Sequence, residues 1–370
     1  MGKGCDIIKK IGILGAYGNV GRYALKHLAD SGKYELSALG RDIAKVKNDS
    51  FFQNISDVEW TFGDASCSET VEEFINGKDV ILNTLFCSDT LKFEIYKKCM
   101  MEGIPCVDTG IPENIENFSG GSYLYGAGAL PGLSSIMGVY AARGFSKLKS
   151  YTHITSMNGV FSKGSAYDYL SGVSKDLTDK KIPLEHRFGV DLPFIGKSDL
   201  YQYSDEETKI VTQLIGYSNG RHYITFGDPT IQKSIEHSVL IFASDPLSTA
   251  EKLVLQSKIH ANRSREHMAF LIEVSGINEN GTDEVRSLVI KFTSSPALTG
   301  LSAAVCTEIV LAEKNPTEIL KLSELPEHKD LYENNIDMIV SSLRSSPEKI
   351  MFDEFNVKLE EMNEEMNGEI

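Results

Sequence analysis

Three glycines, Gly15, Gly18 and Gly21, fall three residues apart in the run Gly12-Ile-Leu-Gly-Ala-Tyr-Gly-Asn-Val-Gly21. At such a spacing the first glycine makes a sharp turn, the second lets backbone approach a pyrophosphate, and the third lets a helix pack against a strand. Free N–H groups at the helix start then face the phosphates. Tyr17, Asn19 and Val20 line the same turn. Glycine-rich turns also close ordinary strand-helix units, so the flanks decide what this one does. About 20 residues further on, where a ribose-reading group belongs, stands Gly40-Arg41-Asp42. The planar guanidinium of Arg41 suits a 2′-phosphate and can stack on adenine, which favours NADP. An acidic residue at this point would accept from a 2′-hydroxyl, so Asp42, one place later, keeps NAD possible.

Other polar residues stand at the ends of apolar runs, where ligands of open parallel sheets collect. Asp64, after Val58 to Phe62, can meet an adenine, and Asn83, Thr84, Leu85 and Phe86 can lie along a nicotinamide ribose. Each is equally the kind of residue that caps a loop. Asp108 and Thr109 close the run Gly103-Ile-Pro-Cys-Val-Asp-Thr-Gly110, where Asp108 either orients a substrate or N-caps the next segment. Leu130 and Pro131 lie in Gly128-Ala-Leu-Pro-Gly-Leu-Ser-Ser135, a close-approach loop with a proline near a helix start. His153, on a strand, can serve as a general acid or as a satisfied structural histidine. Arg221, beside His222 near a turn, can hold a carboxylate.

Alternating strand and helix signals must position these groups. Ile7, Ile8, Ile11, Ile13 and Leu14 read as a buried strand, and Val20, Tyr23, Ala24 and Leu28 recur at helical spacing through Asp30. Strands follow at Tyr34 to Leu39, Val58 to Phe62, Asp79 to Leu85, Gly103 to Gly110 and Tyr123 to Gly126. Helices are predicted at Glu69 to Ile75, at Leu91 to Met101 and from the Gly128 loop to about Phe145. The alternation predicts an α/β protein with a Rossmann-type doubly wound parallel sheet.

From Lys149 to about Lys291 the character changes, with runs rich in Val, Ile, Thr, Tyr and Phe. These predict strands at Tyr151 to Met157, Thr208 to Ile215, His222 to Phe226, Ser234 to Ala243, Met268 to Ile277 and Glu284 to Thr293, the last two joined by a hairpin at Asn280-Gly281. Helices are expected at Ser165 to Thr178 and Leu247 to Ala261, with a long loop, a lid or a plain surface excursion, from Asp179 to Ser204. This is an inserted α+β domain with a largely antiparallel sheet. The expected division is a dinucleotide-binding domain at residues 1–133 plus 294–345, an α+β domain at 134–293, and an acidic C-terminal tail at 346–370 whose last residues, 360–370, are expected to be solvated or frayed.

Taken together, Gly15-Ala-Tyr-Gly-Asn-Val-Gly21, Gly40-Arg41-Asp42, Asp79-Val-Ile-Leu-Asn83, Tyr96 through Cys99 to Val107-Asp108-Thr109, and Gly128-Ala-Leu-Pro-Gly-Leu-Ser134 resemble the saccharopine dehydrogenase-like family. That group contains saccharopine reductase and carboxynorspermidine-type enzymes. Ala297-Leu-Thr-Gly-Leu-Ser-Ala-Ala304 looks like the family's returning helix. The resemblance implies a Rossmann domain that binds a nicotinamide dinucleotide, and a second domain that closes over the cofactor and mediates dimerisation. Within it, Gly159-Val-Phe-Ser-Lys-Gly-Ser-Ala-Tyr167 resembles the family's glycine-rich turn before a helix that faces the substrate. Ser165 and Tyr167 would there offer hydroxyls to a carboxylate, although Ser165 is also a natural N-cap. The middle region is shorter than in saccharopine reductase and no full clamp of arginines for an amino diacid can be matched, which points to a specialised pathway rather than to lysine metabolism.

Composition narrows the remaining classes. The 370 residues are 41% hydrophobic and 24% charged, with a formal net charge of -15. Such acidity argues against a general binder of nucleic acid or anionic membranes. No run of about 18 apolar residues occurs, and the N-terminus enters the first strand without a signal-peptide core, so a cytoplasmic location is expected. Cys5, Cys67, Cys87, Cys99, Cys106 and Cys306 lack paired metal-ligand spacing and are expected as reduced thiols, with no metal. The functional expectation is an NADP-dependent oxidoreductase, a homodimer acting on a small molecule, that reduces an imine or runs the reverse oxidation. Reduction of a conjugated C=C bond and a non-catalytic dinucleotide sensor or scaffold remain open.

Overall fold

The computed structural model describes residues 8–179, 185–261, 266–312, 318–327 and 329–362. Cys5, Ile7, residues 180–184 at the start of the expected 179–204 loop and the acidic end from residue 363 lie outside the described residues. In chain order the elements begin β1 (Lys9–Leu14), α1 (Gly21–Ser31), β2 (Tyr34–Gly40), α2 (Ile43–Asn48), α3 (Ser50–Gln53), β3 (Val58–Phe62), α4 (Ser68–Ile75), β4 (Val80–Asn83), α5 (Asp89–Met101), β5 (Cys106–Asp108) and β6 (Tyr123–Tyr125). They continue with α6 (Ser134–Ala141), β7 (Phe145–Asn158), α7 (Lys163–Asp179), β8 (His186–Leu192), β9 (Gly196–Gln202), α8 (Glu206–Leu214), β10 (Arg221–Phe226), α9 (Pro229–Phe242) and α10 (Pro246–Ala261). The last are β11 (His267–Asn278), β12 (Asp283–Phe292), α11 (Ser295–Ala312), β13 (Ile319–Lys321), α12 (Lys329–Ser345) and β14 (Lys349–Phe355).

Two compact units divide at Leu133/Ser134, Ser295/Pro296 and Ser342/Leu343. The first holds a seven-stranded sheet in the order β13-β6-β5-β4-β1-β2-β3, and every pairing in it is parallel. Ile11, Ile13, Leu14, Ile81 and Leu82 are fully buried, as strands covered on both faces require. The strand order reverses between β1 and β4, and a ligand crevice belongs at the carboxyl ends of such a pair. Helix α1 buries Ala24, Leu25 and Leu28 and stops at Gly32, whose φ of 64° is open to glycine. Helix α11 is long and apolar enough to cross a membrane by composition, but 72% of it is buried inside the protein. Its small face lets it approach α1 backbone to backbone: a Cβ on Gly300 would lie 2.6 Å from the Val20 carbonyl oxygen and 2.8 Å from the Ala24 nitrogen.

The second unit holds the sheet β14-β12-β11-β7-β10-β9-β8, antiparallel throughout except for β7 with β10. Asn280-Gly281 makes the β11–β12 turn, with Gly281 at φ 80°. Two predicted strands are helices. Thr208 to Ile215 falls in α8 because Asp205 and Thr208 exchange side-chain bonds with each other's backbone N–H at 2.8 and 3.0 Å, a reciprocal cap that outweighs the β-branched composition. Ser234 to Ala243 falls in α9, which starts at an Asp228 cap and Pro229 and buries Ile231, Ile235, Ser238 and Phe242 at helical spacing. The expected 179–204 loop contains the β8–β9 hairpin, its turn carrying Phe194 and Gly196 at positive φ. Lys349–Phe355, within the expected acidic tail, is edge strand β14, and Leu359 and Met362 beyond it are buried.

Candidate functional site

The glycine turn leaves β1 at the point where the strand order reverses. Gly15 has φ 79°, and a Cβ there would lie 3.0 Å from both Thr84 Oγ1 and Leu85 Cδ2. A Cβ on Gly21 would lie 2.3 Å from the Gly15 carbonyl oxygen and 2.7 Å from Thr84 Oγ1. Thr84 is itself tied back to β1, its hydroxyl donating to the Leu14 carbonyl at 2.8 Å. Gly18 N–H donates to the Gly15 carbonyl, and the N–H groups of Arg22, Tyr23 and Ala24 donate to Gly18 and Val20 carbonyls. Asn19 and Val20 N–H have no acceptor among the described residues, and Gly18 and Asn19 are exposed. Helix α1 has no side-chain N-cap and no acidic residue in its first turn. An uncapped helix start of this kind is electrostatically open to an anion.

At the ends of β2 and β3 the roles divide more sharply than residue type implies. Tyr17 is buried, not a wall of the turn: its ring presses on Gly40, where a Cβ would be 2.1 Å away, and packs against Phe52, Trp60 and Phe62. Its hydroxyl donates to the Thr61 carbonyl at 3.3 Å, and burial pushes its pKa up to about 12. Asp42 caps α2, accepting from Ala44 N–H at 2.9 Å, so its carboxylate serves the helix. Arg41 stands out from the end of β2, its side chain 78% exposed, with Nη1 3.8 Å from Asp64 Oδ2. Asp64 also accepts from Ser66 N–H at 2.9 Å. Phe62, missed by sequence reasoning, lies half exposed beside them; a large aromatic closing a parallel strand was the available signal.

The ends of β4, β5 and β6 carry a buried network. Asp108 Oδ2 accepts from Asn83 Nδ2 at 2.7 Å and from the Tyr123 hydroxyl at 3.1 Å, while Oδ1 accepts from Gly110 N–H at 2.7 Å. Burial pushes the Asp108 pKa up, against Lys92 and these three donors, which pull it down. Its oxygens are engaged, so it is neither the free substrate-orienting carboxylate nor the helix cap expected of it. Asn83 Oδ1 accepts from Leu85 N–H at 3.1 Å, so Asp108 acts through Asn83 on the Thr84–Leu85 wall that faces Gly15 and Gly21. Thr109 N–H donates to the Asn83 carbonyl at 3.1 Å, and Phe86 is exposed. Leu130 and Pro131, joined by a cis peptide, are half-buried in a loop held by Ser302 Oγ donating to the Gly128 carbonyl at 3.1 Å. Lys92 and Tyr123 were not legible as site residues, since only the sheet order brings them to Asp108.

Residues 11–123 match the family described as "Saccharopine dehydrogenase NADP binding domain". The match covers 113 of the 370 residues and makes this segment similar to the NADP-binding domain of saccharopine dehydrogenases. The fold of the chain as a whole is similar to that of apo saccharopine dehydrogenase (L-Glu forming) from Saccharomyces cerevisiae, with 12% identity, a TM-score of 0.63, and coverage of 95% of this chain and 100% of that one. A short-chain dehydrogenase/reductase from Veillonella parvula in complex with NADP overlaps less, at 18% identity and a TM-score of 0.25, over 28% of this chain and 47% of that one. No curated protein sequence matches the chain.

In the second unit, which lies outside the matched segment, the expected substrate groups are dispersed. His153 pairs in parallel register with His222, ring centroids 5.8 Å apart, and Tyr151 Oη lies 3.3 Å from His153 Nδ1. Burial pulls the pKa of His153 well below 6.5 and that of His222 to about 4. Both are neutral at pH 7, which leaves His153 without the imidazolium proton of a general acid. Arg221 neighbours His222 on β10 and so faces the other side of the sheet, where it pairs with Glu185 Oε2 at 3.4 Å. Tyr167 packs edge-on against Phe242, 5.4 Å between centroids, in the apolar cluster of α7, α9 and α10. Ser165 exchanges hydrogen bonds with Ser162 at 2.9 and 3.0 Å, a reciprocal cap on α7.

The two buried imidazoles make stability pH-dependent. Their folded pKa values lie below the unfolded value near 6.5, so the unfolded chain binds more protons and stability falls as pH drops from about 6.5 towards 4. At pH 5, His222 alone accounts for about 2 kcal/mol of that loss. Urea unfolding at pH 7 and pH 5 checks this: the loss between them should shrink by that amount in His222→Gln, and an unchanged loss would refute it.

Proposed function

We propose that the protein is an NADPH-dependent reductase that delivers hydride to the C=N carbon of an imine formed from an amino compound and a carbonyl, giving a secondary amine. The observation that carries the cofactor reading is the uncapped start of α1 behind Gly15, Gly18 and Gly21 at the strand-order reversal. A cradle that a single Cβ would fill, with N–H groups at Asn19 and Val20 that have no acceptor among the described residues, fits a pyrophosphate. Arg41 would hold a 2′-phosphate, Phe62 would support adenine, and Thr84, Leu85 and Phe86 would lie along the nicotinamide ribose. When bound, the reduced nicotinamide supplies the hydride. The Asp108–Asn83 network keeps the Thr84–Leu85 wall in place. With His153 neutral and buried, the proton for nitrogen comes from the substrate or from water. The likeness in fold to a saccharopine dehydrogenase supports an amino-compound substrate. A homodimer in the cytoplasm completes the reading, and light scattering on the purified protein tests the dimer.

Fluorescence titration with NADPH and NADH is the test of the cofactor. NADPH should bind at least tenfold tighter than NADH, and Arg41→Ala should weaken NADPH by about ten- to a hundredfold, the worth of a charge-assisted phosphate contact. Binding of neither nucleotide overturns the reading. A second reading, a dinucleotide-responsive protein without turnover, draws on the engagement of His153, Ser165, Tyr167 and Arg221 in structural contacts. NADPH oxidation with a panel of amine and carbonyl pairs separates the two.

A further inference from the structure

We infer that Asp64 sets the cofactor preference of the proposed dinucleotide site by holding Arg41 in competition with a 2′-phosphate. This rests on the cofactor reading above and deepens it. The turns after β2 and β3 run side by side, Gly63 N–H donating to the Gly40 carbonyl at 3.0 Å, so the residues that follow Gly40 and Gly63 are brought together. Of that pair Asp64 is the anchored member, since Ser66 N–H fixes its carboxylate at 2.9 Å. Arg41 is the less constrained one: its side chain is 78% exposed and its only charged neighbour among the described residues is Asp64, at 3.8 Å. Phe62, 42% exposed and backed by the buried Tyr17 ring, closes the same corner with an apolar surface suited to a purine face. A 2′-phosphate entering here takes the guanidinium from Asp64, whereas a 2′-hydroxyl leaves the Arg41–Asp64 pair intact. Asp64 therefore lowers NADPH affinity and leaves NADH affinity alone. The preference is narrower than Arg41 by itself would produce.

The experiment titrates the full chain, Asp64→Asn, Arg41→Ala and the double variant with NADPH and NADH, following protein fluorescence. Asp64→Asn should tighten NADPH about two- to fivefold, the range of an exposed ion pair, with NADH changed by less than that. In the Arg41→Ala background the gain should disappear, because there is no guanidinium left to release. An Asp64→Asn that leaves NADPH affinity unchanged, or tightens both nucleotides alike, overturns the inference. So does a gain that survives without Arg41, which would assign the effect to long-range repulsion instead. Thermal unfolding within a degree or two of the unaltered protein excludes misfolding of either exposed variant as the cause. If the unaltered protein binds neither nucleotide, the cofactor reading falls and takes this inference with it. If it binds NADPH and the variants behave otherwise, only the inference falls.

Discussion

Gly21→Ala should lose nucleotide binding by at least a hundredfold and destabilise the first unit by about 1–3 kcal/mol. The added methyl carbon would sit 2.3 Å from the Gly15 carbonyl oxygen and 2.8 Å from Ala16 Cα, both backbone, with Thr84 Oγ1 2.7 Å away and already bonded to β1. No flexible side-chain end can move aside. Either the first turn of α1 shifts away from β4 or the turn itself opens, and in both cases the N–H groups of Asn19 and Val20 lose their arrangement. Gly18→Ala is the contrasting variant. Its Cβ meets only the Gly15 oxygen, at 3.1 Å, and the position is exposed, so the fold survives while the methyl group covers the approach to the N–H groups. The expected pattern is loss of binding in both, with a lowered Tm in Gly21→Ala alone. Undiminished NADPH binding by Gly21→Ala would show that the turn serves packing only.

Asp108→Ala should lower unfolding stability by about 3–5 kcal/mol, the cost of removing one member of a buried charged network. Asn83 and Tyr123 lose their shared acceptor, Gly110 N–H loses its partner, and the buried Lys92 loses a neighbouring negative charge. For a cooperative unit of 370 residues the Tm falls by roughly 4–6 °C. Nucleotide affinity should fall as well, because Asn83 Oδ1 then no longer has a fixed orientation from which to hold Leu85 N–H. Differential scanning calorimetry with a parallel titration is the check. A Tm within about 2 °C of the unaltered protein would mean that the carboxyl is dispensable to the network.

The first unit is more legible in sequence than the second, for a physical reason. In a parallel sheet covered on both faces each strand is a short apolar run closed by a polar turn, and the glycines of the first turn each answer a different backbone contact. The β2 strand, Tyr34–Gly40, and Arg41 at its end follow from that punctuation. In the second unit β-branched residues occur in helices as readily as in strands. Thr208, Ile210 and Val211 look like strand until the Asp205–Thr208 exchange is recognised, and α9 is declared by Asp228-Pro229 rather than by Ile235 or Val239. Partnerships between distant residues escape altogether. Tyr123 reaches Asp108 because β6 lies beside β5, and His222 reaches His153 because β10 runs parallel to β7. Ser165 and Asp42 illustrate the opposite error, since a polar residue at a helix start is as readily a cap as a ligand.

Helix α11 also bears on how the protein is made. The backbone of α1 that follows the glycine turn is covered by Gly300, which emerges from the ribosome long after Gly21. At about 5–20 residues per second, a nascent chain carries an unfinished nucleotide cradle for some tens of seconds while the second sheet is synthesised. Until α11 arrives, the face of α1 that Gly300 approaches lacks its cover. A chain stopped before Ser295 therefore retains every glycine of the motif yet should be a chaperone client rather than a small nucleotide-binding domain.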